Sequence, residues 1–170
     1  MPYSDPSNSQ WTRDKFSEFK PERILDVGPG AGKYAKIAAE VLGKFEITGL
    51  EIFEPYIERF GINNLYNKII VEDVREHKDF DYDLVIFGDV LEHMVKEDAL
   101  KVWELARSQA RYLMISIPTI HLPQGESEGN IHETHLEEDW DVESVLETFE
   151  GIIDHEKYDV TSTFWAVGKN

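Results

Sequence analysis

The sequence predicts an α/β fold: a single domain on a mostly parallel sheet, with helices on both faces and an antiparallel hairpin at its end. Three observations carry this. Strand-like and helix-like segments alternate between residues 23 and 117. Most strands are continuous apolar runs, such as Leu84-Val85-Ile86-Phe87, which suits a parallel sheet buried on both sides. The last two strands, Gly151 to Asp159 and Ser162 to Gly168, are separated by a short turn. Only antiparallel pairing is open to them, because parallel neighbours need a crossover of about a dozen residues.

Taken in order, residues 1–8 are polar and rich in Pro and Ser, and read as mobile or lying over the surface. Trp11, Lys15, Phe16 and Phe19 share one helical face, so Trp11 to Phe19 is a short amphipathic helix. Residues 1–21 thus form a lead-in and 22–170 the domain. Arg23 to Val27 is the first strand and ends in a glycine cluster. Tyr34, Ile37, Ala38 and Val41 recur at i, i+3, i+4 and i+7, which makes 31–42 a helix stopped by Gly43. Phe45 to Leu50 is the second strand. Pro55 to Phe60 is a helix with Pro near its first turn and Gly61 after it. Lys68 to Val71 and Tyr82 to Phe87 are the third and fourth strands. Val95, Ala99, Val102, Trp103 and Ala106 mark a long helix, and Tyr112 to Ile117 is the fifth strand, closed by Pro118. Right-handed crossovers follow from this order. From Pro118 to Trp140 the apolar periodicity disappears; long loops inside compact domains are usually functional. Val142, Val145, Leu146 and Phe149 resume a helix, with Asp141 as N-cap and Gly151 beyond its end. The closing hairpin brings the strand count to seven.

The 170 residues hold 17 Lys+Arg against 34 Asp+Glu, a net charge of −17, and no cysteine. Such a length suits one domain. The 41% apolar and 30% charged content is that of an ordinary globular chain. Without cysteine there is no disulfide scaffold, thiolate zinc site, iron–sulfur cluster or cysteine nucleophile. This fits a reducing cytoplasm, the expected location. No apolar run approaches the ~18–20 residues of a membrane span, and the first residues lack the basic and apolar regions of a secretory signal. The acidity repels polyanions and anionic lipid surfaces. Neither nucleic acid nor membrane is therefore an expected partner.

The strongest local signal is Asp26-Val27-Gly28-Pro29-Gly30-Ala31-Gly32, where a strand turns into a helix. Glycines there permit positive φ and let a ligand approach bare backbone. A dinucleotide loop wants G-x-G-x-x-G, which would put the third glycine at 33; Lys33 stands there and the glycine is at 32. A G-x-G-x-G loop behind a strand-end Asp suits a ligand with no pyrophosphate to seat. Glu51, Asp73 and Asp89 close the next three strands, so with Asp26 four acids end four successive strands. All would lie on the carboxyl edge of the sheet, where open α/β folds bind ligands. A carboxylate at the second strand end can accept from both hydroxyls of a ribose. The rim suits a ligand with hydroxyls, an amine and a positive charge.

At these residues the chain resembles the class I S-adenosylmethionine-dependent methyltransferases, over about residues 22–168. The resemblance rests on Ile24 to Gly32, Gly49-Leu50-Glu51, Glu72-Asp73-Val74 and Tyr82 to Met94, which includes Asp89-Val90-Leu91-Glu92-His93. It implies a Rossmann-like seven-stranded sheet with S-adenosyl-L-methionine as cofactor. The loop from Gly28 to Gly32 would lie against the methionine part, and Glu51 would hold the ribose hydroxyls. Asp73 would accept from the adenine amino group while the Val74 N–H meets the ring. Asp89 would lie near the sulfonium. Asp26, Pro29, Ile52 and Val90 belong to the same implied set with Gly28, Gly30 and Gly32. The chain departs from the family in its short amino-terminal segment and in lacking a large insertion from which many relatives build an acceptor cap. Loop 118–140 is accordingly assigned to the acceptor side, and a small-molecule O or N acceptor is expected, with the protein a monomer or homodimer.

Methyl transfer is an in-line displacement, with the nucleophile held about 3–3.5 Å from the carbon. A base is needed only for a weakly acidic hydroxyl or a protonated amine, and histidine fits near neutral pH. His93, in the motif beside the cofactor, and His135, at the end of the loop, are the catalytic candidates; His121 and His132 read as solvated. Trp11, Tyr34 and Trp140 could flank the pocket, although Tyr34 on its apolar helix face suits core packing better, and Trp140 suits an anchor against the domain better than a substrate stack. Asp89, Glu92 and His93 with His132 or His135 would offer oxygen and nitrogen donors for a divalent metal, as in the small-RNA 3′-end methyltransferases. Asp-x-x-Glu-His also occurs in metal-free relatives such as the quinone-pathway O-methyltransferases, and the charge opposes an RNA substrate, so no metal is assigned. A metal-assisted RNA 3′-end methyltransferase and a non-catalytic cofactor-binding module stay as alternatives. The glycine spacing and the missing second domain disfavour a nicotinamide oxidoreductase.

Overall fold

The computed structural model describes residues 4–169; residues 1–3 of the polar leading segment, and Asn170, lie outside the described residues. Seven strands form one sheet: β1 Arg23–Val27, β2 Glu46–Glu51, β3 Lys68–Val71, β4 Leu84–Gly88, β5 Tyr112–Pro118, β6 Ile152–Lys157 and β7 Thr161–Val167. Their order is β3-β2-β1-β4-β5-β7-β6. The first five are parallel, and β7 runs antiparallel to both β5 and β6. The expected architecture is thus the observed one.

Among the described residues five α-helices flank the sheet: α1 Ser9–Phe19, α2 Lys33–Val41, α3 Pro55–Arg59, α4 Lys96–Gln109 and α5 Val142–Thr148. Strand alternation sorts the two cores. Leu25 and Val27 of β1 join Val85 and Phe87 of β4 under Trp103 of α4, Val145 of α5 and Phe149 just beyond α5. Ile24, Leu84 and Ile86 face the other way, onto Phe16 of α1 and Ile37 and Ala38 of α2. Helix α2 starts at Lys33, later than its apolar period suggests, because Gly32 at φ +76 breaks the turn before it.

Two segments are more ordered than their composition suggests. The amino-terminal stretch reads as loose, yet Asn8 is fully buried. The Lys33 ammonium binds both the Asp5 carbonyl and Asn8 Oδ1, and Thr161 Oγ1 donates to Asp5 Oδ2 at 3.1 Å. A half-buried ammonium seeks partners, and the polar leader supplies them. Loop 118–140 has no periodicity because its order is polar. Ser127 and Asn130 bridge, and Ile131–Glu133 forms a 3₁₀ turn. Leu136 N and Glu137 N both donate to Glu92 O at 2.9 and 3.1 Å. Glu92 belongs to the 3₁₀ turn Leu91–His93 that follows β4, so the loop docks beside the carboxyl edge of the sheet.

At α5, Asp141 Oδ1 accepts from Ser144 N at 2.7 Å while Ser144 Oγ accepts from Asp141 N at 2.9 Å, a reciprocal cap. Asp141→Ala removes one side of it and is expected to lower Tm by a few degrees, read by thermal denaturation.

Candidate active site

The strand order turns back between β1 and β4, and the crevice there opens at their carboxyl ends, as in other open α/β sheets. It holds about 830 Å³ of atom-free space, part of it continuous with solvent. Gly28 and Gly30, at φ +65 and +47, turn the chain from β1 towards α2 and present bare backbone along one wall. Gly28 N donates to Leu50 O at 2.9 Å, which ties the loop to β2. A Cβ on Gly28 would stand 2.6 Å from Val90 Cγ2 on the facing wall.

Glu51 ends β2 only 3% exposed and lines the cleft. One oxygen accepts from Phe53 N at 2.8 Å. Burial pushes its carboxyl up to about 7, against the pull of backbone N–H donors. Asp73 and Val74 follow β3 on the same wall. Arg75 Nε reaches both Asp73 oxygens at 3.0 Å, and this hydrogen bonding holds Asp73 below its ordinary value. Asp89 follows β4 at φ +58 and accepts from Ser116 Oγ at 3.0 Å. Desolvation raises its pKa.

Asp26 belongs elsewhere. It sits inside β1 rather than at its end, fully buried and absent from the cleft wall. Tyr66 Oη donates to its Oδ2 at 2.5 Å, and burial pushes it up to about 7. Pro29 and Gly32 also stand off the wall; Gly32 packs against Leu65 instead. Ile52 and Val90 do line the cleft.

The lining also includes His93 and Met94, which follow β4, and Tyr56, Asn130, His132 and Glu133. Tyr56 Oη donates to Glu133 Oε1 at 3.1 Å, and burial pushes the phenol up to about 12. His93 Nδ1 lies 3.2 Å from Thr134 O. A carbonyl only accepts, so Nδ1 carries the proton and Nε2 keeps a lone pair. Burial, with His135 beside it, lowers His93 to about 4, so the ring is neutral at ordinary pH. His135 does not reach the wall; it packs behind His93, ring centroids 4.9 Å apart, with its Nδ1 2.7 Å from Leu122 O. His132, read from sequence as solvated, is exposed yet borders the cleft. His121 is exposed and pairs with Asp139. Trp11, Tyr34 and Trp140 are packed away from the cleft.

Ser4, Tyr56, Arg75, Asn130 and Glu133 escaped the sequence reading. Arg75 and Glu133 had signals: one lies two residues beyond a strand-end acid, the other between two histidines. Ser4, Tyr56 and Asn130 had none, because each reaches the cleft from a segment whose path depends on tertiary packing.

A family model described as a methyltransferase domain matches residues 9–147. The chain belongs to this methyltransferase family. Solved structures agree on the methyltransferase fold. The N-terminal domain of EvdMO1, with SAH bound, superposes with a TM-score of 0.67 at 17% identity, covering 97% of this chain and 82% of that one. The 1,6-didemethyltoxoflavin-N1-methyltransferase of Burkholderia thailandensis, with 1,6-didemethyltoxoflavin and S-adenosylhomocysteine bound, gives 0.69 at 15% identity, covering 98% and 80%. An S-adenosylmethionine-dependent methyltransferase of Clostridium acetobutylicum gives 0.68 at 11% identity, covering 94% and 90%. No curated protein matches the sequence. The methyltransferase has no helix among its described residues long and apolar enough to cross a membrane.

Proposed function

We propose that this methyltransferase takes its methyl group from S-adenosyl-L-methionine and passes it to an O or N atom of a small-molecule acceptor. Glu51 is the observation that carries the donor. It is a nearly buried carboxylate, facing the cleft beside the bare backbone of Gly28 and Gly30, with lone pairs beyond the one that Phe53 N–H uses. Burying such a group is costly unless donors satisfy it, and the paired hydroxyls of a ribose are suitable donors. Asp73 and the Val74 N–H suit the amino group and ring nitrogen of adenine, with Arg75 orienting Asp73. Asp89 suits the cationic end of the donor.

When bound, S-adenosylmethionine supplies an electrophilic methyl on a sulfur that departs as a neutral thioether. The chain's own residues then bind and orient the acceptor. His93 presents a neutral imidazole whose Nε2 accepts from an acceptor O–H or N–H. His135 packs against that ring and is its positioning residue. Asn130, His132 and Glu133 of the 118–140 loop also line the cleft, and a loop lying along it supports a compact acceptor over a polymer. The net charge of −17 adds to the case against nucleic acid. The Burkholderia enzyme, with its small acceptor bound, is a parallel of the same fold.

Calorimetry with S-adenosylhomocysteine and S-adenosylmethionine tests the donor, with one site per chain expected. Release of S-adenosylhomocysteine over a panel of small hydroxyl and amine acceptors tests the reaction. No heat with either nucleoside would overturn the reading, whereas binding with no turnover on any acceptor would favour a non-catalytic module.

A further inference from the structure

Beside the cleft, Glu92, His93 and His135 each place one donor atom within 4.8 Å of the others. We propose that these three side chains bind a divalent transition-metal ion, with its open positions towards the acceptor.

Three features point to a built site. Glu92 is 2% exposed, and its Oε2 has no hydrogen-bond partner among the described residues. An unsatisfied buried carboxylate oxygen is costly, and a cation removes the cost. Both imidazoles are also held in the arrangement of metal ligands: Nδ1 of His93 faces Thr134 O at 3.2 Å, and Nδ1 of His135 faces Leu122 O at 2.7 Å. Each carbonyl fixes the proton on Nδ1 and leaves Nε2 to coordinate, as backbone carbonyls do for ligating histidines. Finally, the loop that carries His135 is fastened to the turn that carries Glu92 and His93, through Leu136 N and Glu137 N on Glu92 O. The three donors therefore hold their places without an ion.

The donor chemistry names the class of metal. Two neutral imidazoles and one carboxylate suit Zn²⁺, Mn²⁺, Fe²⁺ or Co²⁺ rather than Ca²⁺, which wants an all-oxygen shell. Ligands on one such ion, at about 2.0–2.2 Å from it, stand roughly 3–3.5 Å apart, so modest side-chain rotation closes the set. Three protein ligands leave positions for an outside oxygen, the mark of a working rather than a structural ion. His93 lines the cleft, so that oxygen is a hydroxyl or carbonyl of the acceptor. This last step rests on the reading under Proposed function; the metal site does not. With the ion bound, the His93 Nε2 lone pair is spent on it, and the ion takes over the contact with the acceptor that the free imidazole would otherwise make. Asp89 and His132, which the sequence offers as further ligands, fall outside the set.

The test uses the full-length chain stripped with a chelator and titrated with Co²⁺. One equivalent should bind with visible d–d absorption and be displaced by Zn²⁺. Glu92→Gln and His135→Gln should each weaken Co²⁺ binding at least tenfold, while His121→Gln, at an exposed histidine, should bind as the wild type does. S-adenosylhomocysteine calorimetry on each variant reports folding and the donor site separately. Should His135→Gln fail to fold, Glu92→Gln, which keeps the shape of the side chain, decides. Unchanged Co²⁺ affinity in Glu92→Gln, or a wild type showing only the weak absorption of hexaaqua-like surface Co²⁺, overturns the proposal. Loss of nucleoside binding with Co²⁺ binding intact would instead strike at the donor reading alone.

Discussion

Glu51→Gln is expected to weaken S-adenosylhomocysteine binding by about 10- to 100-fold and, at pH 8, to raise thermal stability. The affinity loss follows from replacing a charged acceptor with a neutral amide, since hydrogen bonds to charged groups contribute about 1.5–3 kcal/mol. The stability gain follows from linkage. Burial raises the folded-state carboxyl from its ordinary 4.5 to about 7. Between those values the folded chain keeps a proton that the unfolded chain has released, so stability falls as pH rises from about 4.5 to 7. Above that the full penalty is present, on the order of 1–3 kcal/mol at most. Glutamine carries no such penalty, so the wild type and variant should converge below pH 4.5 and separate above it. Asp26, also raised to about 7, keeps part of the slope in both proteins. Calorimetry and thermal denaturation across pH 4–8 measure both effects. Unchanged affinity would remove Glu51 from the donor site.

Gly28→Ala should abolish measurable donor binding and lower stability. Gly28 sits at φ +65, where an L side chain costs about 1–2 kcal/mol. The added methyl would also stand 2.6 Å from Val90 Cγ2. Relief requires moving Val90, part of the opposite wall, or shifting the loop off its hydrogen bond to Leu50 O. Either movement distorts the cleft. Gly125→Ala is the control: its Cβ meets nothing within 4 Å, and binding should stay as in the wild type. Donor affinity retained in Gly28→Ala would mean that the loop is not shaped for close backbone approach.

The sheet was legible because strand burial writes itself in apolar runs: Leu84 to Phe87 is buried on both faces, and β1 and β3 occur with the boundaries their residues suggest. The carboxyl-edge acids were legible because topology alone puts Glu51, Asp73 and Asp89 on one rim. Asp26 stands off that rim for a local reason. It precedes the last residue of its strand, so the pleat turns it away from the cleft towards Tyr66. The order of residues 4–8 and of the 118–140 loop was hidden because polar contacts hold them, and hydrophobic period is blind to those. The pairing of His93 with His135 spans a loop whose docking on Glu92 O leaves no trace in composition.

The anchored leader also decides where a label can be attached. Ser4 borders the cleft, whereas β7 runs back to pair Val167 with Tyr112, and Gly168 N donates to Arg111 O at the opposite rim. A fluorescent label attached at Ser4 would therefore sit at the mouth of the cleft. The same label at Lys169 would hang on the far side of the sheet, which makes that position the sensible handle for immobilisation.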